Sequence, residues 1–250
     1  GIEVILVNGK FTKNIQGKKT DVLDCVWIQK LHTLGLLRGS FLPDHQTEQL
    51  RTLCRHRNNL IQNSAKCIKR MSQNLRLMNL RLDVVVNDLV GLTGLKIIDA
   101  VCNEEADANK LASLRHANCR KSAEEIAKGL QSNGRKDYLF ALKQEYAQYQ
   151  YIQQLIKECD VQIKMMLSEW INGDETKRSL YIDAKIHKKI NKNTPKNIDL
   201  NLMSYQFFDG LDLYAIEGFS HGLALTIISE IGEQGIQQFP TAKQFTSWLR

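Results

Sequence analysis

Asp21 and Asp24 stand three residues apart, directly behind Thr20. If the stretch is helical, both carboxylates lie on one face. Two nearby carboxylates repel each other, and a bound divalent cation relieves the repulsion. Mg²⁺ suits such oxygen ligands because it keeps several waters and bridges readily to phosphates. In phosphoryl transfer it orients a nucleophile and offsets charge on the non-bridging oxygens. Lys18 and Lys19 adjoin the pair and could hold backbone phosphates. Asp21 and Asp24 are therefore the candidate catalytic and metal-binding residues, with Mg²⁺ the expected cofactor. A plainer reading stays open: acids in a first turn are favoured by the helix dipole, and Asp24 could simply face water.

A second set of residues carries charge without chemistry of its own. Residues 51–81 hold eight Lys or Arg and no Asp or Glu. Arg51, Arg55, Arg57, Lys66, Lys69 and Arg70 are the candidates for gripping nucleic-acid phosphates, an interaction that weakens steeply with salt. The alternative is a solvated basic helix face. Gly218, within Ile216-Glu217-Gly218-Phe219-Ser220-His221-Gly222, forms a turn between short apolar segments. Such a turn can offer backbone N–H groups to a phosphate without reading sequence, or it can be an ordinary tight corner. The six histidines are scattered and show no HxH or HExxH spacing. No Ser-His-Asp arrangement can be identified, and Trp27 and Trp170 read as packing residues.

These residues need elements to position them. A strand is expected from about Glu3 to Val7, ended by the Asn8-Gly9 turn signal. A basic loop follows, and then a helix from the Thr20 N-cap to about Leu34, ended by Gly35. That is an α/β pattern whose remaining sheet should lie upstream of residue 1. Cys54, Ile61, Ile68, Leu75 and Leu82 then recur every seven residues, with Met71 and Met78 on a neighbouring row. This predicts a coiled-coil-like helix. A second helical stretch, from about Ala108 to Trp170, breaks near Gly129 and Asn133-Gly134. It repeats Leu142, Tyr149, Ile156 and Ile163 at the same spacing. The two stripes must be covered, by each other as an antiparallel arm or by another copy. Residues 172–206 read as a polar linker. From Asp212 onward the pattern is helix, turn at Gly218, helix from about His221 to Ile231, turn at Gly232 and a last helix.

The charge balance is uneven. Residues 1–81 carry 14 Lys or Arg against 5 Asp or Glu, and residues 82–250 carry 20 against 22. A one-sided basic field favours a polyanion. The six cysteines include no CxxC pair, which points to buried free thiols in a reducing cytosol rather than a zinc or redox motif. No apolar run is long enough to cross a bilayer, so a cytoplasmic protein with no membrane partner is expected. Both ends of the chain read as cuts inside domains.

The stretch Asn14 to Asp24, then Trp27 and His32-Thr33-Leu34-Gly35-Leu36-Leu37-Arg38-Gly39-Ser40-Phe41, closely resembles transposases of the IS110/IS1111 group. Asn74, Met78-Asn79-Leu80-Arg81-Leu82, Val86 to Gly94, Ala215 to Gly218, Ser229 to Gly232 and Phe239 to Lys243 extend the resemblance over nearly the whole chain. It implies a RuvC-like, RNase H-type domain with four acidic residues, of which Asp21 and Asp24 match the last two. The first two would precede residue 1. A nucleophilic serine would follow residue 250, and Ser220, Ser229 and Ser247 do not match it. The turn at Gly218 departs from the Pro-Gly-Ile-Gly form of helix-hairpin-helix motifs.

The residue pattern together with the resemblance predicts a mostly α chain in four parts. Residues 1–42 would be the end of a RuvC-like α/β domain, 43–171 a long coiled-coil-like arm and 172–206 a linker. Residues 207–250 would begin a helical domain with a helix-hairpin-like turn. The expected function is an insertion-element transposase or recombinase acting on DNA, with metal-assisted strand exchange. Partners would be DNA, a structured guide RNA and further copies of the chain. With half the acidic site and the serine missing, these 250 residues should be inactive alone. The rivals are a non-catalytic nucleic-acid-binding or structural remnant, and an α/β phosphatase or hydrolase using the Asp pair.

Overall fold

The computed structural model describes residues 4–12, 20–37, 39–180, 190–232 and 235–248. The chain divides into two compact units, residues 1–45 and residues 46–250. The described residues are mostly helical.

In the first unit, a short helix α1 (Gly9–Thr12) stands where the sequence reads a basic loop. Helix α2 (Asp21–Thr33) follows as predicted. Thr20 is its N-cap, its hydroxyl accepting from the Leu23 N–H at 3.3 Å. Gly35 (φ +66°) then turns the chain out of the helix. The Trp27 indole donates to the Thr12 carbonyl at 3.0 Å and ties α2 to α1.

The strand expected over Glu3–Val7 is not found among the described residues. Val7 makes one isolated antiparallel bridge to Gly39, and the Ser40 N–H donates to the Leu6 carbonyl at 2.7 Å. An extended run becomes a strand only when a neighbour takes its N–H and C=O groups repeatedly. Among the described residues that pairing stops after one bridge, and the α/β pattern is not seen there.

The second unit is organised by two long helices, α3 (His45–Leu77) and α8 (Lys136–Asn172). Between them come α4 (Leu82–Val85), α5 (Leu92–Cys102), α6 (Ala108–Ser113) and α7 (Ala123–Gly129). After them come α9 (Glu175–Ser179), α10 (Leu200–Phe207), a 3₁₀ turn at Leu213–Ala215, α11 (His221–Ile231), a second 3₁₀ turn at Gly235–Gln238 and α12 (Ala242–Trp248). Of the expected breaks, Gly129 is the last residue of α7 and Gly134, with φ +72°, lies between α7 and α8.

Helices α3 and α8 run antiparallel and face each other. Arg57 meets Asp160, Ser64 meets Gln153 at 2.8 Å, Cys67 meets Gln148 at 3.5 Å and Arg70 meets Glu145 at 3.0 Å. Numbers rise on one helix as they fall on the other. Within the chain each long helix thus covers part of the other's stripe, while Ile61, Ile68 and Ile156 stay half-buried.

Two apolar cores flank this seam. One joins Cys67, Met71 and Leu75 of α3 to Ile97 and Ile98 of α5, Leu111, Ile126, and Leu142 and Tyr149 of α8. The other joins Leu50 and Cys54 of α3 to Ile163 and Leu167 of α8, Leu200 and Phe207 of α10, and Leu225 and Ile228 of α11. The stretch expected as a linker thus ends in a packed helix. Leu200 and Phe207 are apolar enough to leave water, and their burial fixes α10 against the long pair.

Two glycines are required by close approach. A Cβ on Gly94 would lie 2.1 Å from the Leu89 carbonyl oxygen. Gly232 ends α11 with φ +69°, and a Cβ there would lie 2.2 Å from the Thr47 hydroxyl of α3.

Candidate functional site

Asp21 and Asp24 both occupy the first turn of α2, and both are exposed. Helix geometry brings the pair to one face, where their oxygens meet the chemistry Mg²⁺ prefers. Two carboxylates are fewer than a cation's full set of ligands. No cluster of three or more metal-capable side chains occurs among the described residues. Water, phosphate oxygens or further carboxylates would have to complete a metal shell. Lys18 and Lys19 lie outside the described residues.

The cations of α3 separate into two groups. Lys66 and Lys69 are exposed, and Lys66 donates to the Asn63 side chain at 3.3 Å. The arginines instead reach carboxylates within the chain. Arg51 and Arg55 both meet Glu230 of α11. Arg70 pairs with Glu145 of α8, and Arg76 pairs with Asp83 at 2.7 Å. The hydrogen bond from Arg76 holds the Asp83 carboxyl below its ordinary range.

Arg57 is the clearest departure from the expected basic surface. It is 5% exposed, pairs with Asp160, and donates to the Asn193 carbonyl at 2.8 Å. With its side chain only 6% exposed and committed to these partners, it offers little to a phosphate backbone. The reason is its place in the seam. Leu50, Arg57, Ser64, Met71 and Met78 are seven apart, and all are buried. A charge in that row must find a buried partner, because an unpaired one costs several kcal/mol.

The sequence reading missed those partners because each is remote along the chain: 175 residues separate Arg55 from Glu230, and 103 separate Arg57 from Asp160. One signal was present. Extending the Met71–Met78 row backward places Arg57 and Ser64 on it, which marks both as core positions.

At the other candidate, Gly218 adopts φ +83° with open space around it. What precedes the turn is the 3₁₀ turn Leu213–Ala215, so the hairpin-like form has only one α-helical arm directly beside it. Ser220 caps α11, its hydroxyl accepting from the Leu223 N–H at 3.2 Å. That bond uses one of the N-terminal donors a phosphate would need. His221 is buried, with its Nε2 2.9 Å from the Asn201 side-chain oxygen. Its ring stacks 4.6 Å from Tyr214, which makes it a packing residue.

No described helix is long and apolar enough to cross a membrane. Residues 1–80 match the family model for transposases of the IS110 DEDD type. No curated protein and no solved structure matches the chain.

Proposed function

We propose, taking residues 1–80 as an IS110-type transposase segment, that this chain serves DNA transposition, with Asp21 and Asp24 forming part of a Mg²⁺ site and α3 meeting DNA. The family match carries the reading, because it spans the acid pair and the whole of α3. Shared placement on one exposed helical turn supports the metal role. When bound, the cation would neutralise phosphate charge and orient a nucleophile. The chain's own part is to hold two carboxylates on a capped helix and to grip DNA phosphates through Lys66 and Lys69. A RuvC-like architecture around α2, a guide RNA and assembly of several copies belong to the same proposal.

A second reading has its own support. With Arg51, Arg55, Arg57 and Arg70 engaged inside the chain, much of the basic segment acts as scaffold, as a non-catalytic nucleic-acid-binding or structural protein would require.

Two titrations of the full chain test these readings. Calorimetry with Mg²⁺ should show binding that Asp21→Asn and Asp24→Asn each weaken; equal binding by all three proteins would remove the metal role. Duplex DNA should bind with strong salt dependence. Lys66→Glu combined with Lys69→Glu should weaken it for any sequence and reduce the log–log salt slope by about 2, close to 1 per contact. An unchanged slope removes α3 from the DNA surface.

A further inference from the structure

Glu230 lies near the end of α11, and its carboxylate is enclosed by two arginines of α3. The Arg55 Nε–H donates to Oε1 at 2.8 Å, and a terminal N–H donates to Oε2 at 2.7 Å. This is the two-pronged grip that guanidinium offers equally to carboxylate and phosphate. A terminal N–H of Arg51 donates to the Glu230 backbone carbonyl. The Arg51 Nε lies 3.1 Å from Oε2. That nitrogen is buried, yet it is not aligned to donate to this or any other acceptor.

The planar carboxylate therefore leaves one enclosed donor unused. A backbone phosphodiester also presents two charged oxygens, but its tetrahedral phosphorus sets them and their lone pairs in directions a planar carboxylate does not offer, so it can be met by both guanidinium groups. The site is not sealed: the Arg55 side chain is 63% exposed. A cavity of about 280 Å³ opens beside it, walled by Asn58, Gly222, Thr226 and Ser229.

We infer that Arg51 and Arg55 form a phosphate site which Glu230 fills as an internal substitute, so that α11 competes with DNA for the start of α3. The inference rests on the reading that α3 meets DNA. The Arg55 arm faces solvent and is individually weak, whereas the Arg51 and Glu230 side chains are only 17% and 19% exposed and are the harder part to separate. A DNA backbone making several contacts together can displace Glu230, and the displacement would free two cations and the unused Arg51 donor. The basic segment would then show its full charge only when α11 yields.

The test uses the full chain, a short duplex DNA and fluorescence anisotropy over a salt series. Glu230→Gln keeps the shape of the side chain and removes its charge. It should bind about tenfold tighter at low salt, with a slope steeper by about 1 to 2 from the freed contacts. Adding Arg51→Gln and Arg55→Gln should abolish the gain. If wild type binds and Glu230→Gln binds no tighter, with the same slope, the occupied-site inference fails while the DNA reading stands. If neither binds, the DNA reading fails and takes this inference with it. Should Glu230→Gln not fold, hydrogen exchange on wild type decides: amides of residues 226–232 should lose protection when duplex binds, and unchanged protection in the bound state overturns the proposal.

Discussion

Residues 1–45 and residues 46–250 use their apolar side chains in opposite ways. In the first unit Leu31 is the one buried hydrophobic residue among those described, while Val4, Val22 and Leu36 are 86%, 72% and 62% exposed. In the second unit Leu50, Met71, Ile97 and Ile163 are fully enclosed. Each such side chain contributes roughly 1.5–3 kcal/mol by leaving water. The acid pair thus sits on a helix held by a cap and a few contacts, and the stability of the chain resides in the antiparallel α3–α8 pair. Candidate chemistry and scaffold are separated along the sequence.

Thiol chemistry should break or confirm this contrast most sharply. Cys25 is exposed, whereas burial pushes the Cys54 thiol up to about 11. At pH 8 only ~0.1% of Cys54 would be thiolate, and the thiolate is the reactive form. Alkylation followed by peptide mapping should label Cys25 more than a hundredfold faster. Labelling at Cys54 should climb as pH rises toward 11. Comparable rates at pH 8 would mean that the second unit is open around α3.

Arg57→Ala should be the costliest of the stability changes, at about 3–5 kcal/mol, because it leaves Asp160 charged and buried without its partner. Urea unfolding measures it, and a loss below about 1 kcal/mol would place the pair in contact with water. Met71→Ala should cost about 2–5 kcal/mol through the lost apolar burial and the cavity left behind. Val22→Ala, on the exposed side of α2, should stay within about 0.5 kcal/mol; similar costs for the two would erase the difference between the units. Thr20→Ala should cost only about 1 kcal/mol, by removing the cap of α2. Its effect should appear as lost helicity in the first unit, with the main unfolding transition of the second unit unmoved.

Much of the local structure was legible from residue order. Thr20 and Gly35 mark the ends of α2 because a cap and a left-handed turn act over a few residues. The seven-residue spacing from Cys54 to Leu75 and from Leu142 to Ile163 falls on the two long helices, since periodicity reports which face leaves water. The expected continuation to Leu82 does not hold: α3 ends at Leu77 and Leu82 belongs to α4. Gly129 and Gly134 mark the break between α7 and α8. The acid pair is equally local, three residues on one turn.

What residue order left open was every choice between partners. The Val4–Val7 run has strand character, but only a neighbouring chain segment can supply the repeated hydrogen bonds a strand needs, and among the described residues there is a single bridge, at Gly39. Arg57 reads as a surface cation until Asp160 is seen across the seam. Arg51 and Arg55 read as free charges until α11 brings Glu230 beside them. Helical propensity, capping and period are set within a turn or two of chain. The fate of a charge depends on groups a hundred or more residues away, which only the packed chain brings within reach.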